Sequence, residues 1–222
     1  MNRRDRQALA EWENADPETR MPFPPTSENW DLWMEKLKVS DRYIRAEVLD
    51  IVHANLGYGE EGGNNRGKFI AAIGGKQGHE WCAYVAGYCY ERAYEREGFD
   101  MPFERSAGAK RLVKNLAAAG SRITDIERAE PGDLVGFHRR SGSLMEAIRS
   151  WKGHVGILVS KRQLIDGEWR AEVAEGNVGG YPATYRTFGY RIDTGGVWWR
   201  QDRGGETRCR FWTFATLRKG LK

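Results

Sequence analysis

Halfway along the chain the hydrophobic pattern changes period, and this limits the available folds more than any other feature. Up to about residue 119 the apolar residues recur at helical spacing; from Pro131 onward they come in short runs separated by turn residues. In "DRYIRAEVLDIVHANLG", Ile44, Val48, Ile51 and Val52 lie on one helical face, and Gly57 is a C-terminal stop. Trp81, Val85, Cys89 and Ala93 repeat every four positions, which predicts a helix over 81–97 ending at Gly98, with a further helix over 106–119. "PGDLVGFH" then reads as a turn entering a strand, "GHVGILVS" as a second strand, and "KRQLIDGEWRAEVAEGN" as a hairpin about Asp166-Gly167. "TYRTFGYRI" and "RCRFWTF" are later strands. Helices first and antiparallel strands afterwards predict an α+β fold, with N-terminal helices packed on a C-terminal antiparallel sheet.

Residues 1–40 stand apart as an N-terminal extension. A short helix over 3–14 carries Leu9 and Trp12 and stops at Asp16-Pro17; "PETRMPFPPTSENW" is proline-rich and extended; "SENWDLWMEKLK" is a second helix. The boundary falls near Ser40, leaving one domain over 41–222. A hydrophobic content of 40% supports a real core, and 12% aromatic residues argue against disorder. The net charge of +4 comes from 35 basic and 31 acidic residues, so it suits an anionic surface such as a cell wall as well as nucleic acid. No nucleic-acid partner is assigned. No apolar run approaches the roughly 18 residues that span a bilayer. The basic start "MNRRDRQALAEWENADPETR" lacks the apolar segment of a signal peptide. The expectation is a chain made in the cytoplasm without a cleaved signal, so that something else must carry it to any target outside.

One stretch, "GKQGHEWCAYVAGYCYERA", poses the chemical question, because Cys82 stands where a helix begins. It is open to four readings: a small core residue, half of a disulfide with Cys89, a metal ligand, or a nucleophile. Cys89 lies seven positions further along the same helix, about 10 Å away at a rise of about 1.5 Å per residue. A bridge needs Cα atoms within about 7 Å. The four histidines (His53, His79, His138, His154) are scattered, with no CxxC or HExxH pattern, so no metal ligand and no cofactor are assigned. A cysteine in the first helical turn meets free backbone N–H groups and the positive end of the dipole, which favour a thiolate and can receive an oxyanion. Such a nucleophile needs a base and an orienting group. His154 opens a strand after a glycine, and Glu175 and Asn177, two apart in "AEVAEGNVGG", share a face if that strand continues. Cysteine on a helix start, histidine on one strand and an acid or amide on the next form the papain-like arrangement.

The ordered series "GGNNRG…EWCA.V", "WCAYVAGYCYE", "PGDLVGF", "GHVGILV" and "EGN" resembles the CHAP family of cysteine, histidine-dependent amidohydrolases/peptidases, close to NlpC-type hydrolases, in a form common in phage lysins. The resemblance spans about residues 48–195. It implies a papain-like α+β fold and hydrolysis of amide bonds in bacterial peptidoglycan. It also implies Cys82 as nucleophile, His154 as base, Glu175 as orienting acid and Asn177 as a polar fourth member. Trp81 and His79, flanking the nucleophile, are assigned to substrate binding; Cys89 and Cys209 are read as core residues, and Asp133 as the residue that sets the Pro-Gly-Asp turn. Residues 1–40 would serve as a docking arm to phage tail or virion proteins. The basic insertion "HRRSGSLMEAIRSWK" and the extension depart from the family pattern.

Overall fold

The computed structural model describes residues 39–139, 142–163, 167–202 and 204–217. The helices expected over 3–14 and in "SENWDLWMEKLK", the proline-rich arm and the tip of the Asp166-Gly167 hairpin lie outside the described residues.

Helix α1 (Val39–Asn55) opens the described chain and buries Ile44, Val48, Ile51 and Val52 on one face. A short helix α2 (Lys68–Ala72) follows the glycine- and asparagine-rich loop. Helix α3 (Cys82–Glu97) buries Val85, Cys89 and Ala93 and ends at Gly98, whose φ of 75° is a left-handed C-cap. Helix α4 (Ala109–Ala119) starts later than its sequence pattern suggests, because the Ser106 hydroxyl accepts the Gly108 N–H and holds 106–108 as a turn. The strands then run β1 (Ser121–Ile123), β2 (Leu134–His138), β3 (Gly153–Gln163), β4 (Trp169–Glu175), β5 (Arg186–Ile192), β6 (Trp198–Asp202) and β7 (Gly205–Thr216). A short helix α5 (Leu144–Arg149) stands in the β2–β3 connection, its start closed by a reciprocal Ser143–Glu146 capping box.

The strands form a ring in the order β7–β2–β3–β4–β5–β6, closed by β6 pairing with β7, and β1 is an additional strand on β7. Every pairing is antiparallel. β7 makes closure possible by its length. Gly205–Cys209 pairs with β6, Phe214–Thr216 pairs with β1, and Arg210–Ala215 pairs with β2 along the opposite edge.

This closed six-stranded barrel corrects the papain-like expectation of helices laid on an open sheet. The physical reason is aromatic. The inner faces of β2 and β5–β7 carry Phe137, Phe188, Tyr190, Trp198, Phe211 and Phe214, too much apolar surface to leave facing water. Closing the sheet lets these rings cover one another: Trp198 stacks on Phe211 at 5.0 Å, Phe137 on Tyr190 at 5.5 Å, and Phe211 meets Phe214 at 4.9 Å. The outer faces of β2, β3, β4 and β7 offer Leu134, Val155, Ile157, Ala174 and Ala215 to a second core beneath α1, α3 and α4. β2 and β3 are therefore apolar on both faces, which is why "LVGF" and "HVGILV" read as continuous runs.

The Pro-Gly-Asp turn locks the helical layer onto the barrel. Asp133, 1% exposed, accepts the Glu130 N–H at 2.9 Å and pairs with the Arg45 guanidinium at 3.0 Å. Arg45 also donates to the Thr216 hydroxyl, and the Tyr90 hydroxyl donates to the Gly132 carbonyl. The turn thus joins α1, α3, β2 and β7, with Asp133 as the turn residue that its motif suggests. Burial raises its pKa, with the Arg45 charge opposing. Asp133→Ala would leave the Arg45 charge buried without its carboxylate. It is expected to lower the unfolding free energy by about 3–5 kcal/mol, measured by urea denaturation; a loss below about 1 kcal/mol would show that the pair contributes no more than a surface one.

Candidate active site

Alternation along β3–β5 selects which side chains enter the barrel. His154, Gly156 and Leu158 share one face of β3, with Phe137 of β2 registered opposite His154. Ala171, Val173 and Glu175 share the matching face of β4, and Phe188 and Tyr190 that of β5. A histidine, a glutamate and a tyrosine are thereby placed together. His154 Nε2 and Glu175 Oε2 are 2.6 Å apart, and the Tyr190 hydroxyl donates to Glu175 Oε1 at 2.5 Å. Glu175 is wholly buried, so both its oxygens depend on these partners. Burial and the Glu175 charge hold the Tyr190 pKa well above its ordinary value, which keeps it a proton donor. Gly156 makes room for the carboxylate: a Cβ there would stand 2.5 Å from Val173 Cγ1 and 2.8 Å from Glu175 Cγ.

Cys82 arrives from the other layer. It is the first residue of α3, a 16-residue helix with no acidic residue in its first turn and no side-chain cap, so the positive end of the dipole faces the thiol. Trp81, the N-cap, fixes this end. It is fully buried, its indole N–H donates to Glu60 at 3.1 Å, and Glu60 also accepts the Ala183 N–H at 2.9 Å. The indole lies on the backbone of Gly176, where a Cβ would come within 2.3 Å of its ring. Gly176 directly follows Glu175, so Trp81 fastens the helix that begins at Cys82 to the strand that carries Glu175.

With Glu175 on Nε2, Nδ1 of His154 is the nitrogen left for Cys82. Among the described residues no hydrogen-bond partner reaches Nδ1, while the thiol and the imidazole lie close enough to shift each other's pKa. Such pairs commonly tighten only when substrate binds. Burial pushes the Cys82 pKa up, but the His154 charge and hydrogen bond, the Arg139 charge and the Val155 N–H outweigh it, and the thiol ends below its ordinary value of 9.0. Burial lowers the His154 pKa, while Cys82 and then Glu175 raise it, to about 9 in sum. Both shifts favour the thiolate–imidazolium form of the pair over the neutral one. Chemically this is an activated sulfur nucleophile beside a proton donor, with helix N–H groups available to a developing oxyanion.

Among the residues singled out from sequence, Cys82, His154 and Glu175 converge. Asn177 does not join His154, because β4 ends at Glu175 and Asn177 turns away with a φ of 59°. Its backbone carbonyl accepts from Arg139 at 2.9 Å. Trp81 is an anchor buried beneath the site, and His79 is exposed on the preceding turn. Sequence reading missed Tyr190 and Arg139. Tyr190 alternates with Phe188 in "TYRTFGYRI", but nothing local says that Glu175 is its neighbour; Arg139 was visible only as part of a basic insertion. Cys89 is buried with its pKa raised by burial to about 12, and Cys209 is half-buried and also shifted upward by burial. Among the described residues, no group of three or more His, Cys, Asp and Glu is placed to hold a metal ion, and no helix is long and apolar enough to cross a membrane. No family model, curated protein or solved structure matches the chain.

Two outcomes check this geometry. At neutral pH Cys82 is expected to react with iodoacetamide at least about ten-fold faster than Cys89 or Cys209, read by peptide mass spectrometry; equal labelling of the three native thiols would mark Cys82 as inert. Gly176→Ala is expected to destabilise the fold by about 1–3 kcal/mol and to slow Cys82 labelling by displacing Trp81. Gly180→Ala, whose added Cβ meets nothing within 4 Å, is the control expected to change neither.

Proposed function

We propose that this chain is a cysteine-dependent amidase or endopeptidase that cleaves an amide bond in the peptide of bacterial peptidoglycan, acting as a phage lysin or virion-associated lysin. The carrying observation is the set Cys82, His154 and Glu175, with the carboxylate 2.6 Å from His154 Nε2 and the thiol and imidazole close enough to shift each other's pKa. The wall substrate and the phage setting rest on the sequence resemblance to the CHAP family. The closed barrel does not weigh against the chemistry, which depends on three side chains and a helix start rather than on an open sheet.

In this reading the Cys82 thiolate attacks the scissile carbonyl carbon, and the oxyanion is met by N–H groups of the first turn of α3. The C–N bond then breaks, and the His154 Nδ1 proton passes to the departing amine. A thioester remains on Cys82. Water attacks it, losing a proton to His154, and the carboxylic acid leaves as the thiol is restored. Glu175 holds the imidazole through Nε2 and stabilises its charged form; Tyr190 holds Glu175. The bond cut is either the N-acetylmuramoyl-L-alanine amide or a peptide bond within the stem.

Cys82→Ala is expected to abolish release of soluble fragments from purified walls with folding intact, since nucleophile and base act as a unit. His154→Ala is expected to abolish it too, at some cost in stability because Glu175 loses a donor. Glu175→Gln should keep some activity, because an amide still orients the ring. Hydrolysis should hold through neutral pH and fall above about 9, where His154 loses the proton that the leaving amine requires. Mass spectrometry of the fragments identifies the bond; a fully active Cys82→Ala chain would sink the assignment. One observation favours a second reading. Cys82 and His154 are only 4% and 6% exposed, as expected of a virion component that keeps the fold for docking. An unreactive Cys82 together with intact walls would decide for that reading.

A further inference from the structure

We propose that Arg139 reads the substrate at the Cys82 site, selecting acyl donors that carry a carboxylate close to the scissile carbonyl. This rests on the amide-cleaving reading above and specifies its substrate class.

The placement follows from the ladder. His138 ends β2 opposite Gly153, and Phe137 is paired with His154, so the chain leaves the barrel at Arg139 on the rim above the imidazole. There the guanidinium donates to the Asn177 carbonyl at 2.9 Å, two residues beyond the Glu175 that holds His154. This contact orients the side chain and, among the described residues, leaves most of its five N–H donors for a ligand. Arg139 is exposed, and among the described residues no carboxylate pairs with it. Other arginines are engaged: Arg191 with Glu168 and Glu206, Arg200 with Asp202, Arg105 with Glu91.

The rest of this rim repeats the sign. Lys152 precedes Gly153 on the facing strand and lies over the Trp151 ring at 5.9 Å, again with no acidic partner among the described residues. Glu146, an acid of the same connection, is committed to the Ser143 capping box. The charge of Arg139 also reaches the sulfur, where it contributes to the lowered Cys82 pKa. An exposed guanidinium fork beside the Cys82 sulfur matches the planar geometry of a carboxylate, which such a fork binds by two parallel hydrogen bonds. Were Arg139 only a clamp on Asn177, neutral and anionic electrophiles would respond alike to its removal.

Iodoacetate and iodoacetamide separate these cases without reference to any wall substrate. Both form the same S–C bond on Cys82 and expel iodide; they differ only in a carboxylate against an amide. At a pH where Cys82 is thiolate throughout, Arg139→Gln is expected to lower the iodoacetate-to-iodoacetamide rate ratio about five-fold, and Arg139→Lys to retain most of it. The His154 charge is common to all variants and cancels in the comparison. The iodoacetamide rate also reports whether the site remains folded. An unchanged ratio, or equal slowing of both reagents, would overturn the proposal. Failure of the parent chain to release wall fragments, with the ratio still dependent on Arg139, would instead remove the wall substrate and leave the anion preference standing.

Discussion

Everything at the site depends on a carboxylate that water does not reach. Glu175 has no exposed surface, and an unpartnered carboxylate in such a place would cost several kcal/mol. Its two oxygens therefore demand two donors from elsewhere in the barrel, Tyr190 from β5 and His154 from β3. Meeting that demand sets the tilt of the imidazole and decides which nitrogen is turned toward Cys82. The glycines around it follow from the same constraint: Gly156 leaves room for the carboxylate on one side, and Gly176 lets the Trp81 ring press against the chain on the other.

The barrel supplies this carboxylate with a dry interior. A sheet open between β6 and β7 would expose Trp198, Phe211 and the Tyr190 ring, and water would reach the inner face that carries Glu175. Closure through β7 seals it beneath aromatics, while the outward faces of β2–β4 remain free to receive α1, α3 and α4. The two cores meet at the site: His154 and Glu175 come from the barrel face, Cys82 from the helical layer. Two buried polar links across the layers, Arg45–Asp133 and the Trp81–Glu60–Ala183 relay, help hold them in register.

Much of the local structure was legible beforehand. The spacing of Val85, Cys89 and Ala93 announced α3, and the placement of Cys82 at its start followed from the same pattern. Gly-His-Val and Glu-Gly-Asn marked strands whose ends carry chemistry. The role given to Asn177 depended on the strand running on for two more residues, and a left-handed turn ended it. Trp81 looked like a substrate contact because it adjoins Cys82 in sequence, yet its ring at the helix N-cap packs against Gly176.

Sequence by itself determined the periods of the segments, the helix that presents Cys82 and the residue types able to act as nucleophile, base and acid, because these are encoded within a few residues of one another. Only the tertiary structure decided that the sheet closes, that Tyr190 supports Glu175 and that Arg139 stands over the site. Those three outcomes depend on pairings between strands far apart in the chain, such as β2 with β7 and β6 with β7. Such pairings are selected by the joint burial of many aromatic side chains, and no local stretch of sequence contains that sum.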